Sequence, residues 1–103
     1  MSRQAISEER AALAQSIRDL ADYVEANPDI PIYSAVAVIG SDYRDRVGQI
    51  VGLASRGFTL DGSRQRLKIG PGVDVVSYVD KKFLTPSIVD GEVVYEIPEQ
   101  VAA

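Results

Sequence analysis

Three short reversals punctuate the second half of this chain and limit what it can fold into. Asp61-Gly62 and Asp90-Gly91 are strong two-residue hairpin signals, because both residue types tolerate the backbone angles that tight hairpin turns demand. Gly70-Pro71-Gly72 adds a third turn, with proline presetting one turn position and glycine serving the next. Between these marks lie short segments: Phe58–Leu60, 64–69, Val73–Val79, Ile88–Val89 and Val93–Ile97. They read as strands of a meander, which Pro98 stops.

The first half follows another period. Leu13, Ile17, Leu20 and Val24 recur at steps of four, three and four, one stripe of an amphipathic helix, with Arg18, Asp22 and Glu25 opposite. Ser7 is the expected N-cap, Ile6 the start of a hydrophobic staple, and Glu8 and Glu9 suit the positive end of the helix dipole. Asn27-Pro28 ends the helix, since a residue before proline avoids helical angles. These signals predict a helix over residues 8–26. Ile32–Ile39 is apolar on both faces and predicts a central or covered strand. Gly40-Ser41-Asp42 is the expected start of a second helix, with Tyr43, Val47, Ile50, Val51 and Ala54 as its buried stripe and Arg56-Gly57 as its cap. Gly48 and Gly52, four apart, would permit a close backbone contact on one face.

The order α-β-α-β-β-β predicts an α+β domain over residues 1–103, with flexible ends at 1–6 and 99–103. The expected architecture is one mostly antiparallel sheet of four to five strands with both helices packed on one face. The strand at 32–39 has the further option of pairing parallel to a later one. The Leu13–Val24 stripe is expected to pack on the sheet. A helix seam between two subunits competes with that reading, although it spans only about two heptads.

Composition closes off several chemistries. The chain has 103 residues, a net charge of −4, and neither Cys, His nor Trp. Thiolate nucleophiles, His-based couples and Cys/His zinc sites are therefore excluded. "VAVIGSDYRD" holds one glycine and lacks a phosphate-loop signature, while "IGPGVD" joins two strands and opens no helix. The carboxylate pairs Asp42/Asp45 and Asp74/Asp80 leave only a Mg²⁺-dependent activity, and nothing joins them to a substrate-holding group. The expectation is a protein that is not an enzyme, with no cofactor and no metal site. No apolar run is long enough to cross a bilayer and the N-terminus has no secretory pattern, so the expected location is cytoplasmic, without membrane association.

One pattern offers a binding site. In a strand over 64–69, Arg64, Arg66 and Lys68 share one face and Gln65, Leu67 and Ile69 the other. A two-residue Asp61-Gly62 loop would pair Leu60 with Ser63 and Phe58 with Gln65. A turn on Pro71 would pair Ile69 with Val73, Leu67 with Val75, Lys68 with Asp74 and Arg64 with Tyr78. The cation face then reads first as an ordinary solvated face. Its functional alternative is an anion or single-stranded nucleic-acid site formed by Arg64, Arg66, Lys68 and Tyr78, with Tyr95 as a second stacking ring. Three cations would give a salt slope of only about −2 to −3, and the negative total charge opposes nucleic-acid binding.

"LADYVEANPDIPIYSAVAV", "GPGVDVVSYVDKKFL" and "EVVYEIPE" resemble a group of small uncharacterised proteins of actinobacteria and their phages. Leu20, Ala21, Glu25, Pro28, Ile30 and Pro31 carry the first motif, and Val73, Val75, Tyr78, Val79 and Asp80 the second. The similarity runs from about Leu13 to Pro98. It implies a phage or actinobacterial origin, a cytoplasmic setting and a shared α+β fold, and it brings no site residues. The expected function is protein–protein interaction, with a host protein as partner if the gene is viral and a homodimer as the other arrangement. The exposed sheet edge near Ile88–Ile97 and the first helix are the candidate surfaces.

Overall fold

The structure, a computed structural model, describes residues 3–99, with side chains from Ser7 onward. Its elements are α1 (Arg3–Ala26), β1 (Ala35–Val38), α2 (Arg46–Ser55), β2 (Thr59–Asp61), β3 (Arg64–Gly70), β4 (Val73–Tyr78), a 3₁₀ turn (Lys81–Phe83), β5 (Thr85–Val89) and β6 (Glu92–Glu96). Of the expected flexible ends, 1–6 and 99–103, residues 1–2 and 100–103 lie outside the described residues, whereas 3–6 belong to α1. The fold divides after Tyr33 into a helical unit and a sheet unit.

In the helical unit, α1 starts at Arg3, so Ser7 lies inside the helix and is not its cap. None of the residues between Arg3 and Ser7 is a helix breaker, and the helix extends back through them. Its end falls at Ala26 as predicted. There the Asn27 backbone N–H and Nδ2 both donate to Tyr23 O, at 3.1 and 2.9 Å. Gln15 Nε2 donates to Asp19 Oδ1 at 3.0 Å along the polar side. The apolar stripe is present, but the burial expected of it is not found. Leu13 is 62% exposed, and Ile17, Leu20 and Val24 are exposed too.

The sheet unit corrects the single antiparallel sheet. Its main sheet is mixed, in the order β1-β4-β3-β2, and β5 and β6 form a separate two-stranded sheet. β1 runs parallel to β4, Val36 beside Asp74 and Val38 beside Val76. A parallel pair needs a long crossover, and α2 with the β2–β3 hairpin supplies it. Both sides of β4 are then occupied, and Pro86 denies β5 one ladder donor. The 3₁₀ turn reverses the chain instead, capped by Asp80, whose Oδ1 accepts from Lys82 N at 3.0 Å.

Two of the three turns deviate from their predicted registers. Val89 pairs with Glu92 around Asp90-Gly91, with φ of 52° and 81°, as a type I′ hairpin requires. In the first hairpin Asp61 pairs with Arg64 and Leu60 with Gln65, so the loop is Gly62-Ser63. Gly62, at φ 62°, takes the first central position, where a type II′ turn wants glycine. The shift is by an even number of residues, so every side chain keeps its face. At the second turn Gly70 pairs with Val73, and the register slips between Lys68 and Gly70. Ile69 becomes the extra residue of a bulge and is 61% exposed, against the expectation that it faces the interior. The predicted pairs Leu67–Val75, Lys68–Asp74 and Arg64–Tyr78 are all present.

α2 begins later than predicted. Asp45 caps it, accepting from Gly48 N at 2.8 Å, while Asp42 Oδ1 accepts from Arg44 N at 3.0 Å in the preceding loop. Tyr43 therefore lies before the helix and is 92% exposed rather than buried. The C-terminus closes with Phe58 N bonded to Leu53 O and Gly57 N to Ala54 O, a Schellman motif on the predicted Arg56-Gly57. α2 packs against β3. Ile50, Val79 and Leu84 form the core, with Leu60, Phe83, Tyr95 and Ile97 around them.

The two helical glycines differ in role, and neither makes the close contact expected of the pair. A Cβ built at Gly52 meets nothing, whereas one at Gly48 runs into the Asp45 carboxylate. Gly52→Ala is therefore expected to stabilise the protein by about 0.5–1 kcal/mol. Gly48→Ala should show no such gain, because displacing the cap costs about 1 kcal/mol. Chemical denaturation of the two variants checks this; equal gains would mean that Asp45 caps nothing.

Candidate functional site

Pairing across the main sheet sorts its side chains onto two faces. On the face away from α2, β3 presents Arg64, Arg66 and Lys68, as the period-two pattern predicts. Tyr78 lies opposite Arg64 and is exposed. Val76 sits at the centre of this face, in register with Arg66 on one side and Val38 on the other. It is 1% exposed. Beyond it, Val36 and Val38 of β1 are exposed. The surface thus has a cationic row on β3, an apolar row on β1, and Asp74, Val76 and Tyr78 on β4 between them.

The cationic row is largely neutralised. Asp61 Oδ2 lies 3.4 Å from Arg64 Nη2 and 3.8 Å from Arg66 Nη1, and Asp74 Oδ2 lies 4.0 Å from Arg66 Nη1. Lys68 makes no ion pair among the described residues. Partly exposed pairs of this kind are worth about 0–1 kcal/mol each. Asp61 reaches both arginines because the hairpin turn is Gly62-Ser63, which brings Asp61 into β2 opposite Arg64. Tyr95 does not join this face: it packs on the core, with Lys81 Nζ 5.0 Å above its ring.

The other face holds what the pattern alone does not reveal. Gln65 is completely buried and donates from Nε2 to Ile50 O at 2.8 Å, while its Oε1 has no partner among the described residues. A single polar residue in an alternating apolar row was the only signal for it. Gln49 knits the loop between β1 and α2. Its Oε1 accepts from Asp42 N at 3.0 Å and from Arg46 Nη1 at 2.6 Å, and its Nε2 donates to Gly40 O at 2.8 Å. Arg46 extends this network to Tyr78 O at 2.9 Å.

The carboxylates weighed for catalysis are occupied locally. Asp42 and Asp45 bind backbone amides, Asp74 faces Arg66, and Asp80 caps the 3₁₀ turn. Among the described residues no group of three His, Cys, Asp or Glu is placed to hold a metal ion. No described helix is long and apolar enough to cross a membrane.

The remaining feature is an edge. Among the described residues, β1 ends the main sheet and pairs only with β4. Its strand carries neither charge nor proline, and the sequence from Ile30 to Ser41 is uncharged throughout. No protein-family model matches the chain, and no solved structure matches it.

Proposed function

We propose that this protein is a small non-catalytic interaction module that binds another protein by strand addition at the open edge of β1. The supporting observation is the edge itself: unprotected backbone groups flanked by the exposed Val36 and Val38. Proteins that keep such an edge free usually block it with lysine, proline, a bulge or a covering segment, and β1 carries no such block in its strand. An added strand would gain main-chain hydrogen bonds from the edge and side-chain contacts from the valines. The resemblance to actinobacterial and phage proteins makes a cytoplasmic host protein the fitting partner. The test is affinity capture from an actinobacterial lysate with wild-type and Val38→Lys baits. A protein retained by the first and lost by the second supports the proposal, whereas identical background from both defeats it.

A second reading, binding of anions or single-stranded nucleic acid, draws on the shared face of Arg64, Arg66, Lys68 and Tyr78. Two carboxylates already balance the arginines, so this reading makes a specific prediction. Asp61→Asn should tighten oligonucleotide binding at low salt, and Arg66→Ser should weaken it. Fluorescence anisotropy measures both, and indifference to both changes removes the reading.

A further inference from the structure

We infer that the β1 edge is occupied by a second copy of this chain, the two β1 strands running antiparallel about a two-fold axis at Ala37. The inference rests on the strand-addition reading above and adds that, before a partner protein binds, the edge is held by a second copy, whose strand the partner's strand displaces. Ala35 N donates to Gly72 O and Ile39 N to Val76 O, each at 2.8 Å. Backbone groups alternate sides along a strand, so those of Val36 and Val38 point away from β4, toward the open edge.

Self-pairing about Ala37 sets Val36 opposite Val38 of the second copy, and the reverse. Both are hydrogen-bonded positions, where two facing residues exchange both N–H···O bonds. Every outward N–H and C=O of β1 is then satisfied. Ala37 meets its own counterpart at the close, non-hydrogen-bonded position, with strands about 4.5 Å apart at Cα, where a methyl side chain fits. A two-fold axis normal to the sheet keeps faces matched, so the exposed valines of both copies lie side by side. Such β-branched cross-strand pairs are favourable. The absence of charge from Ile30 to Ser41 removes the usual obstacle to self-pairing, which is like charges brought opposite one another. A closed two-fold contact also uses up both copies' β1 edges and does not propagate.

Sedimentation velocity across a wide concentration range tests this. Wild type should approach twice the 11.2 kDa chain mass, and Val38→Lys should weaken the dimer at least about tenfold, or about 1.4 kcal/mol, with an unchanged circular dichroism spectrum. Val36→Pro should do the same, since it removes an N–H that β4 does not use. Because the chain has no cysteine, Ala37→Cys should crosslink to its own copy on mild oxidation. A wild type that stays monomeric, a dimer that survives Val38→Lys, or a dimer without the crosslink overturns the inference. If wild type is monomeric yet lysate capture still depends on Val38, self-pairing fails while strand addition stands. If neither occurs, both fall.

Discussion

Gln65→Glu should strongly destabilise the sheet unit at neutral pH. The wild-type amide is fully buried and donates to Ile50 O at 2.8 Å. An ionised carboxylate has no hydrogen to donate and would set a negative charge against that carbonyl oxygen. An uncompensated buried charge costs about 3–5 kcal/mol, against a total stability for a chain of this size of about 5–15 kcal/mol. The defect should depend on pH in a definite direction. Burial raises the introduced carboxyl's folded-state pKa above its unfolded value of about 4.3. The penalty is therefore absent below about pH 4.3, grows by about 1.4 kcal/mol per pH unit above it, and levels off at the raised value. The melting-temperature difference from wild type should be small at pH 4 and large at pH 7. Gln65→Met should behave oppositely, staying within about 1 kcal/mol of wild type, because it also removes the unpartnered Oε1. A Glu variant that melts like wild type at pH 7 would mean that water reaches this site.

Ile50→Ala is expected to cost about 2–5 kcal/mol. Ile50 is 1% exposed and touches the cluster that joins α2 to Leu84, Tyr95 and Ile97. An isolated two-stranded hairpin is at best marginal in water, so the β5–β6 hairpin depends on that cluster. Hydrogen exchange should show the amides of β6 losing protection together with those of α2. Retained protection in β6 would mean that the hairpin is anchored elsewhere. Val38→Ala, on the exposed edge, should change monomer stability by no more than about 0.5 kcal/mol.

Local chemistry was readable along the chain. Asp90-Gly91 makes its turn because both angles are positive there and few other residue pairs accept that. Asn27-Pro28 ends α1, and period-two alternation puts Arg64, Arg66 and Lys68 together. The candidate cation face was thus legible, but its neutralisation was not. Asp61 reaches the arginines only because the first turn sits one position later, at Gly62-Ser63, and the two-residue change in pairing that this makes leaves the hydrophobic pattern unchanged.

Where the chain turns, where the first helix ends and which face most strand residues take were thus encoded locally, by backbone angles and side-chain period within a few positions, with Ile69 at the bulge as the exception. Tertiary structure alone decided that β1 joins β4 in parallel and stands at an edge, that the Leu13–Val24 stripe is exposed, and that Gln65 is buried. An apolar pattern states that a surface favours burial, but what covers it depends on contacts between residues far apart in the chain, and no local spacing encodes those.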